Sequence, residues 1–353
     1  MNLRHINRLF AAAALSLLAG CTGENKPAEQ AGAAPAPAAP AAAVSLNGAG
    51  ASFPAPVYQS WTYTYSQARG QKVSYQSVGS GAGLNQIKEG TIDFAGSDNP
   101  LTTEQLTNAG LAQLPMLTGG VVVIVNLPGV ADGQLRLSRE NLADLFLGKI
   151  TKWNDARIAA ANPGLALPDL AVTVVHRADA SGTSFIFTNY LTKISPEWKE
   201  KVGCGSSVKW PVGIGGQKNP GVCNSVAKVS GSIGYTEYTY AVEAKLAMAQ
   251  LPSQKGTFLK PSIETFSACV ANADWLGAPS FYLVLTDQPG DNSWPITGVT
   301  YILFRKDAAP EKKQALFQYL NWCLDEGPAS ARQLNYVPLP KNVAELIKKN
   351  VLK

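Results

Sequence analysis

Histidine is almost missing from this chain: it occurs twice in 353 residues, and His5 lies in an N-terminal apolar segment, which leaves His176. That scarcity weighs against a Ser-His-Asp hydrolase and against a histidine-held metal, and no Gly-x-Ser-x-Gly elbow or Asp/His cluster takes their place. Charge is sparse as well, at 16% of residues. Removing residues 1–21 takes Arg4 and Arg8 from the 30 basic residues, leaving 28 against 25 acidic, a net +3. With no Lys/Arg cluster and no basic-aromatic interleaving, a nucleic-acid surface is not expected. Long apolar runs are also lacking. Residues 9–18 are apolar but too short to span a bilayer as a stable helix, and no later segment does better. The cysteines show no Cys-x-x-Cys spacing, so a thiolate metal site is not expected either.

What is present suits two domains with real cores: the length is ample and the apolar fraction is 46%. Arg4 and Arg8 precede the apolar segment as in an export signal. The segment ends in Leu18-Ala19-Gly20-Cys21, which resembles the lipobox of bacterial lipoproteins. That resemblance implies cleavage before Cys21 and lipid acylation of it; a plain secretory peptide is the alternative. Residues 22–44 form an Ala/Pro-rich stretch that cannot build a core and favours extended conformations, at about 3.1 Å per residue a tether of roughly 70 Å. Cys204, Cys223, Cys269 and Cys323 remain. An even number in an exported chain suggests two disulfides with three possible connectivities. The Gly/Pro-rich loop between Cys204 and Cys223 favours that pair, with Cys269–Cys323 by elimination.

From residue 45 onward, strands alternate with helices through loops of small residues. Gly48-Ala49-Gly50-Ala51-Ser52-Phe53-Pro54 leads into a helix over 54–69, with Ser52 as its cap and the Phe53 N–H free for a ligand. A strand over 72–78 hands over at Gly79-Ser80-Gly81-Ala82-Gly83 to a helix over 84–89. A strand over 92–96 leads to Ser97-Asp98, and Thr102-x-x-Gln105 reads as a capping box. In open α/β sheets ligands gather where strands hand over to helices.

One stretch organises the rest: Arg177-Ala178-Asp179-Ala180-Ser181-Gly182-Thr183-Ser184-Phe185, between an apolar strand over 172–175 and an apolar-periodic helix. A helix entered through Ser-Gly-Thr points free N–H groups, two hydroxyls and the positive end of its dipole at one spot, and Arg177 adds a planar charged fork. Such a spot binds an oxyanion. Two long apolar strands, over 119–127 and 297–304, bracket the middle of the chain. A chain that leaves one α/β unit, builds a second and returns predicts two lobes with a two-crossing hinge: 45–126 with 297–353, and 127–296. Ser52, Phe53, Ser80 and Asp98 then belong to one lobe and Arg177 and Ser181 to Thr183 to the other, with the ligand in the cleft between them. A closing helix is expected over 310–326, with Leu316, Leu320, Cys323 and Leu324 on one stripe and Gly327 ending it.

These motifs, together with Gly119-Gly120-Val121-Val122, Leu147-Gly148-Lys149-Ile150 and Ala273-Asp274-Trp275, resemble the substrate-binding protein of the bacterial phosphate ABC transporter across nearly the whole mature chain. The resemblance implies a two-lobed periplasmic-binding-protein-like α/β fold that binds inorganic phosphate and delivers it to permease subunits. It implies a monomer in the periplasm that needs neither metal nor cofactor. Its phosphate ligands would be Ser52, Phe53 through its backbone, Ser80, Asp98, Arg177, Ser181, Gly182 through its backbone, and Thr183, with Asp179 orienting Arg177. Ser52 stands where threonine is common, and Ala180 replaces a frequent glycine.

Chemistry gives Asp98 a role of its own. Phosphate at neutral pH keeps a proton and sulfate keeps none, so a buried carboxylate accepts the phosphate O–H and repels sulfate. The rivals are a hydrolase or phosphatase with Ser181 or Ser184 as nucleophile, and a binding protein for sulfate, molybdate or tungstate. For the first, His176 adjoins Arg177 on a strand and so faces away from it, and a Ser–Lys pair would explain neither Asp98 nor the two-lobe split. Against the second stands Asp98.

Overall fold

The structure, a computed structural model, describes residues 44–275 and 277–353. The expected signal segment, Cys21 and nearly all of the tether lie outside them. In chain order the first part holds β1 (Leu46–Gly50), α1 (Ala55–Arg69), β2 (Val73–Ser77), α2 (Ser80–Lys88), β3 (Phe94–Ser97), α3 (Thr103–Asn108) and the 16-residue β4 (Leu111–Asn126). The middle holds α4 (Arg139–Phe146), α5 (Ala156–Ala161), β5 (Thr173–Arg177), α6 (Gly182–Ile194), α7 (Pro196–Lys201), β6 (Ile214–Gly216), α8 (Lys218–Lys228), β7 (Ser232–Glu237) and α9 (Tyr238–Glu243). Then come the short strands β8 (Ala247–Met248), β9 (Leu251–Pro252) and β10 (Phe258–Leu259), and α10 (Ile263–Ala271). The last part is β11 (Thr297–Arg305), α11 (Pro310–Asp325), α12 (Pro328–Gln333), β12 (Val337–Pro338) and α13 (Lys341–Asn350).

The main sheet runs β2-β1-β3-β11-β4-β7-β5-β6, with β12 and β8 also on β4. Its outer strands are parallel in each half: β1 to β2 and β3, and β5 to β6 and β7. The centre is antiparallel. Residues 111–120 of β4 pair with β11, and from Val121 the strand pairs with β7 instead. Val121 to Val125 are buried on both faces, so the composition of this run matches a strand covered on two sides. Where partners change stand Gly119 and Gly120, and a Cβ on Gly120 would run into the Phe266 ring. β4 and β11 thus tie together two α/β halves, each with parallel strands covered by helices. This is the two-lobed α/β architecture that the alternating pattern predicts.

Local chemistry accounts for most helix starts. Thr102 and Gln105 make the reciprocal capping box on α3, Ser138 caps α4, and Ser195 with Pro196 opens α7. Ser52 does not cap α1. The residue at that position is Pro54, with no side-chain bond, and the Ser52 hydroxyl is drawn instead to α8. α2 begins at Ser80, directly after Gly79 at φ +96°, because only a glycine turns there without strain. Gly327 does not end α11 in the left-handed conformation; at φ −68° it stays right-handed and opens α12.

The cysteines correct a further expectation, since Cys204, Cys223, Cys269 and Cys323 are all free thiols. Cys204 is exposed in the loop after α7, and the other three are buried on α8, α10 and α11. Cys204 lies on the Phe185 carbonyl at 3.7 Å, Cys223 on Thr236 Oγ1 at 3.5 Å, and Cys269 on the Leu285 carbonyl at 3.3 Å. Cys323 fills the α11 stripe with Leu316, Leu320 and Leu324, all buried. Burial pushes the Cys223 and Cys269 thiols up to about 11 and about 12. An even count reads as pairing in the sequence, but buried thiols also serve as small apolar fillers.

Candidate anion site

Five strand ends converge on one buried spot. β1 supplies Ser52 and Phe53, β2 supplies Ser80, β3 supplies Asp98, and β5 supplies Arg177 and the Ser181-Gly182-Thr183 turn. All of these side chains are at most 4% exposed. The fifth end, that of β6, supplies Lys218 and Asn219. No sequence signal marked it, since Gln217-Lys218-Asn219 is neither a Ser/Gly turn nor a helix cap by type.

Hydrogen bonds lock the pieces in place. Gly182 N–H donates to Ser80 Oγ (3.0 Å), Asn219 N–H to Ser52 Oγ (3.3 Å) and Ser184 N–H to Ser181 Oγ (3.1 Å), the last being the α6 cap. Each of these three hydroxyls therefore accepts from an N–H and keeps its own O–H to donate. The Gly182 N–H, expected to face a ligand, is given to Ser80. A Cβ on Gly182 would lie 2.5 Å from Asp98 Cβ and 2.7 Å from its backbone nitrogen, so only glycine lets α6 approach β3 so closely. The carbonyls of Ser52 and Phe53 accept from Tyr240 Oη and Tyr336 Oη, each at 2.6 Å.

Arg177 is fixed from two sides. Its Nε and Nη2 donate to Asp179 Oδ1 (2.8 Å) and Oδ2 (2.5 Å), and its Nη1 donates to Asn219 Oδ1 (3.2 Å). Two of the five guanidinium N–H bonds stay available. Burial pulls the Asp179 pKa upward, but Arg177 and the Lys218 N–H at 2.9 Å outweigh it, and the net shift is down. Asp179 thus holds the Arg177 fork in a fixed plane. Lys218, with φ at +58°, also reaches the Ser77 carbonyl through Nζ at 2.6 Å.

Among the described residues, Asp98 Oδ1, Thr183 Oγ1 and Asn219 Nδ2 are buried without a hydrogen-bond partner. Burial pushes Asp98 up to about 7, against the opposing pull of the Thr300 hydroxyl and Arg177. The spot therefore offers many donors and one acceptor, beside a permanent positive charge.

Ser184 Oγ lies 2.6 Å from Tyr235 Oη, which also accepts the Arg177 N–H at 3.1 Å. The His176 ring is stacked on Trp210, with centroids 4.9 Å apart and planes 8° apart.

Residues 35–326 match a family profile described as PBP superfamily domain. The chain is 50% identical over 290 residues to "Phosphate-binding protein PstS" of Xylella fastidiosa, covering 81% of this chain and 79% of that one. The protein of the same description from Pasteurella multocida is 50% identical over 292 residues, covering 82% and 85%. In fold the chain is similar to a high affinity periplasmic phosphate-binding protein bound with phosphate, at a TM-score of 0.71 and 20% identity, covering 88% of this chain and 94% of that one. A second similar fold is a phosphate-binding protein from Stenotrophomonas maltophilia, at a TM-score of 0.67 and 20% identity, covering 88% and 94%.

Proposed function

Because the chain belongs to the PBP superfamily and, within it, to the PstS phosphate-binding proteins, we propose that it binds inorganic phosphate between its lobes and delivers it to an ABC transporter permease for import. The observation that carries the reading is the imbalance of the buried site: the hydroxyls of Ser52, Ser80, Ser181 and Thr183 and the fork of Arg177 face one unpaired acceptor, Asp98. Phosphate has the matching pattern, with oxygens to accept and one O–H to donate. In this reading Ser52, Phe53, Ser80, Asp98, Arg177, Ser181 and Thr183 hold the anion, Gly182 sets the Ser80 hydroxyl through its N–H, and Asp179 aims Arg177. One lobe is 45–126 with 297–353, and the other is 127–296.

Asp98 is the selectivity element. As a carboxylate it accepts the phosphate O–H but meets sulfate with an unpaired negative oxygen. Sites built around a substrate O–H reject analogues that lack it by roughly 10⁴–10⁵. The N-terminal segment supports a place on the outer side of a membrane. In this reading the chain is a periplasmic monomer, held through lipid on Cys21 and the 22–44 tether.

The test is calorimetry at pH 8 on residues 44–353 stripped of phosphate, titrated first with phosphate and then, in a separate run, with sulfate followed by phosphate. Tight phosphate binding undisturbed by sulfate is expected. Equal or tighter sulfate binding overturns the phosphate assignment, and heat from neither anion overturns the site.

A further inference from the structure

Glu237 is a fully buried carboxyl that the anion-binding chemistry does not use. It ends β7 and pairs with Val121, the residue at which β4 changes partners. Its Oε2 lies 2.8 Å from Tyr336 Oη and 3.0 Å from the Thr239 N–H. Tyr336 Oη lies 2.6 Å from the Phe53 carbonyl, in the loop that carries Ser52.

Counting protons decides what these contacts are. A carbonyl only accepts, and a tyrosine hydroxyl has one proton. The shorter contact, to Phe53, takes that proton. Tyr336 can then bond Glu237 only as an acceptor, so the carboxyl must be the donor. Thr239 supplies no substitute, because its hydroxyl proton goes to the Leu334 carbonyl at 2.7 Å. The geometry thus reads as a chain, Glu237 O–H to Tyr336 O–H to the Phe53 carbonyl.

Building on the phosphate reading above, we propose that Glu237 is a positioning residue of the anion site: while protonated it holds the Ser52–Phe53 loop through Tyr336, and its ionisation loosens that loop and weakens phosphate binding. On ionisation the proton leaves to solvent. The Tyr336 hydroxyl then turns its own proton to the carboxylate, and the Phe53 carbonyl loses its donor.

The surroundings favour the neutral acid at working pH. Burial raises the carboxyl to about 8, against the lowering effect of the Thr239 N–H and the Tyr336 contact, and Glu243 adds to the rise. The titratable groups that face it are Tyr238, Tyr240 and Glu243 of α9, Tyr336 ahead of β12, and Cys223 of α8. None of these is a cation that would keep a carboxylate ionised.

The experiment measures phosphate affinity calorimetrically from pH 6.5 to 9.5 for the full chain, Glu237→Gln and Tyr336→Phe. Phosphate and Asp98 titrate in all three, so the informative quantity is the ratio of variant to wild-type affinity. A glutamine amide donates to Tyr336 at every pH. The Glu237→Gln ratio is therefore expected to rise about tenfold between pH 7 and 9.5, within the limit for one linked proton. Tyr336→Phe keeps the ring against Phe53 and removes only the hydroxyl. It is expected to bind several-fold more weakly at pH 7, with a ratio that recovers toward pH 9.5. A flat Glu237→Gln ratio, or Tyr336→Phe binding as wild type at pH 7, overturns the inference and leaves the phosphate reading standing. No phosphate binding by wild type at any pH overturns both. If Glu237→Gln fails to fold, Tyr336→Phe alone decides.

Discussion

Asp98 is a carboxyl whose charge is set by its neighbours. Burial raises it to about 7, so near neutrality the empty site holds it both with and without its proton. Protonated, Asp98 becomes a donor, and a donor accepts sulfate. Sulfate competition with phosphate should therefore be absent at pH 8 and grow as pH falls through 7 toward 5.5, as read by displacement calorimetry. Asp98→Asn carries a donating amide at every pH and should bind sulfate across the whole range. Wild-type rejection of sulfate that stays constant from pH 8 to 5.5 would contradict this role. The folded-state pKa lies above the ordinary value of 3.8. The stabilisation tied to this proton is accordingly full below about 4 and lost as pH rises to about 7 in the phosphate-free protein.

At the level of elements, the same cap serves two different ends. Ser138 caps α4 and Ser181 caps α6, each accepting an N–H three residues on. In the proposed site, only the α6 cap also has a hydroxyl to offer the anion. Ser138→Ala and Ser181→Ala should each cost about 1 kcal/mol of folding stability by denaturant titration. Only Ser181→Ala should also weaken phosphate binding, by ~10-fold or more for one lost donor to a charged group. Equal affinity in the two variants would place Ser181 outside the site.

Across the whole molecule, direct contacts bridge the proposed lobes. Lys218 reaches Ser77, Asn219 meets Ser52, the Gly81 N–H meets the Ala180 carbonyl at 3.0 Å, and Tyr240 meets Ser52. Lys218 sits in the left-handed region, where a side chain is strained, so its two polar contacts must hold it there. Lys218→Ala removes one charge-assisted bond, worth about 1.5–3 kcal/mol. Phosphate release followed by stopped flow should speed up at least ~10-fold, with little change in association. An unchanged release rate would remove Lys218 from the closing contacts.

Periodicity, small-residue turns and caps determined by themselves the α/β class, the two long central strands, the capping box of α3 and the strand-to-helix turns that carry the candidate site. These signals are local, because a turn or a cap depends on neighbours within a few residues. Tertiary structure decided what depends on distant partners. It brought Asn219 and Lys218 into the site from an unmarked strand end, took the Ser52 hydroxyl from its own helix, and gave the Gly182 N–H to Ser80. It also kept four cysteines apart, one in a loop and three on separate helices, and set the charge of Asp98 and Glu237 through burial. A carboxyl looks the same in any sequence, and only the water removed around it and the donors placed beside it make it a neutral acid or an anion.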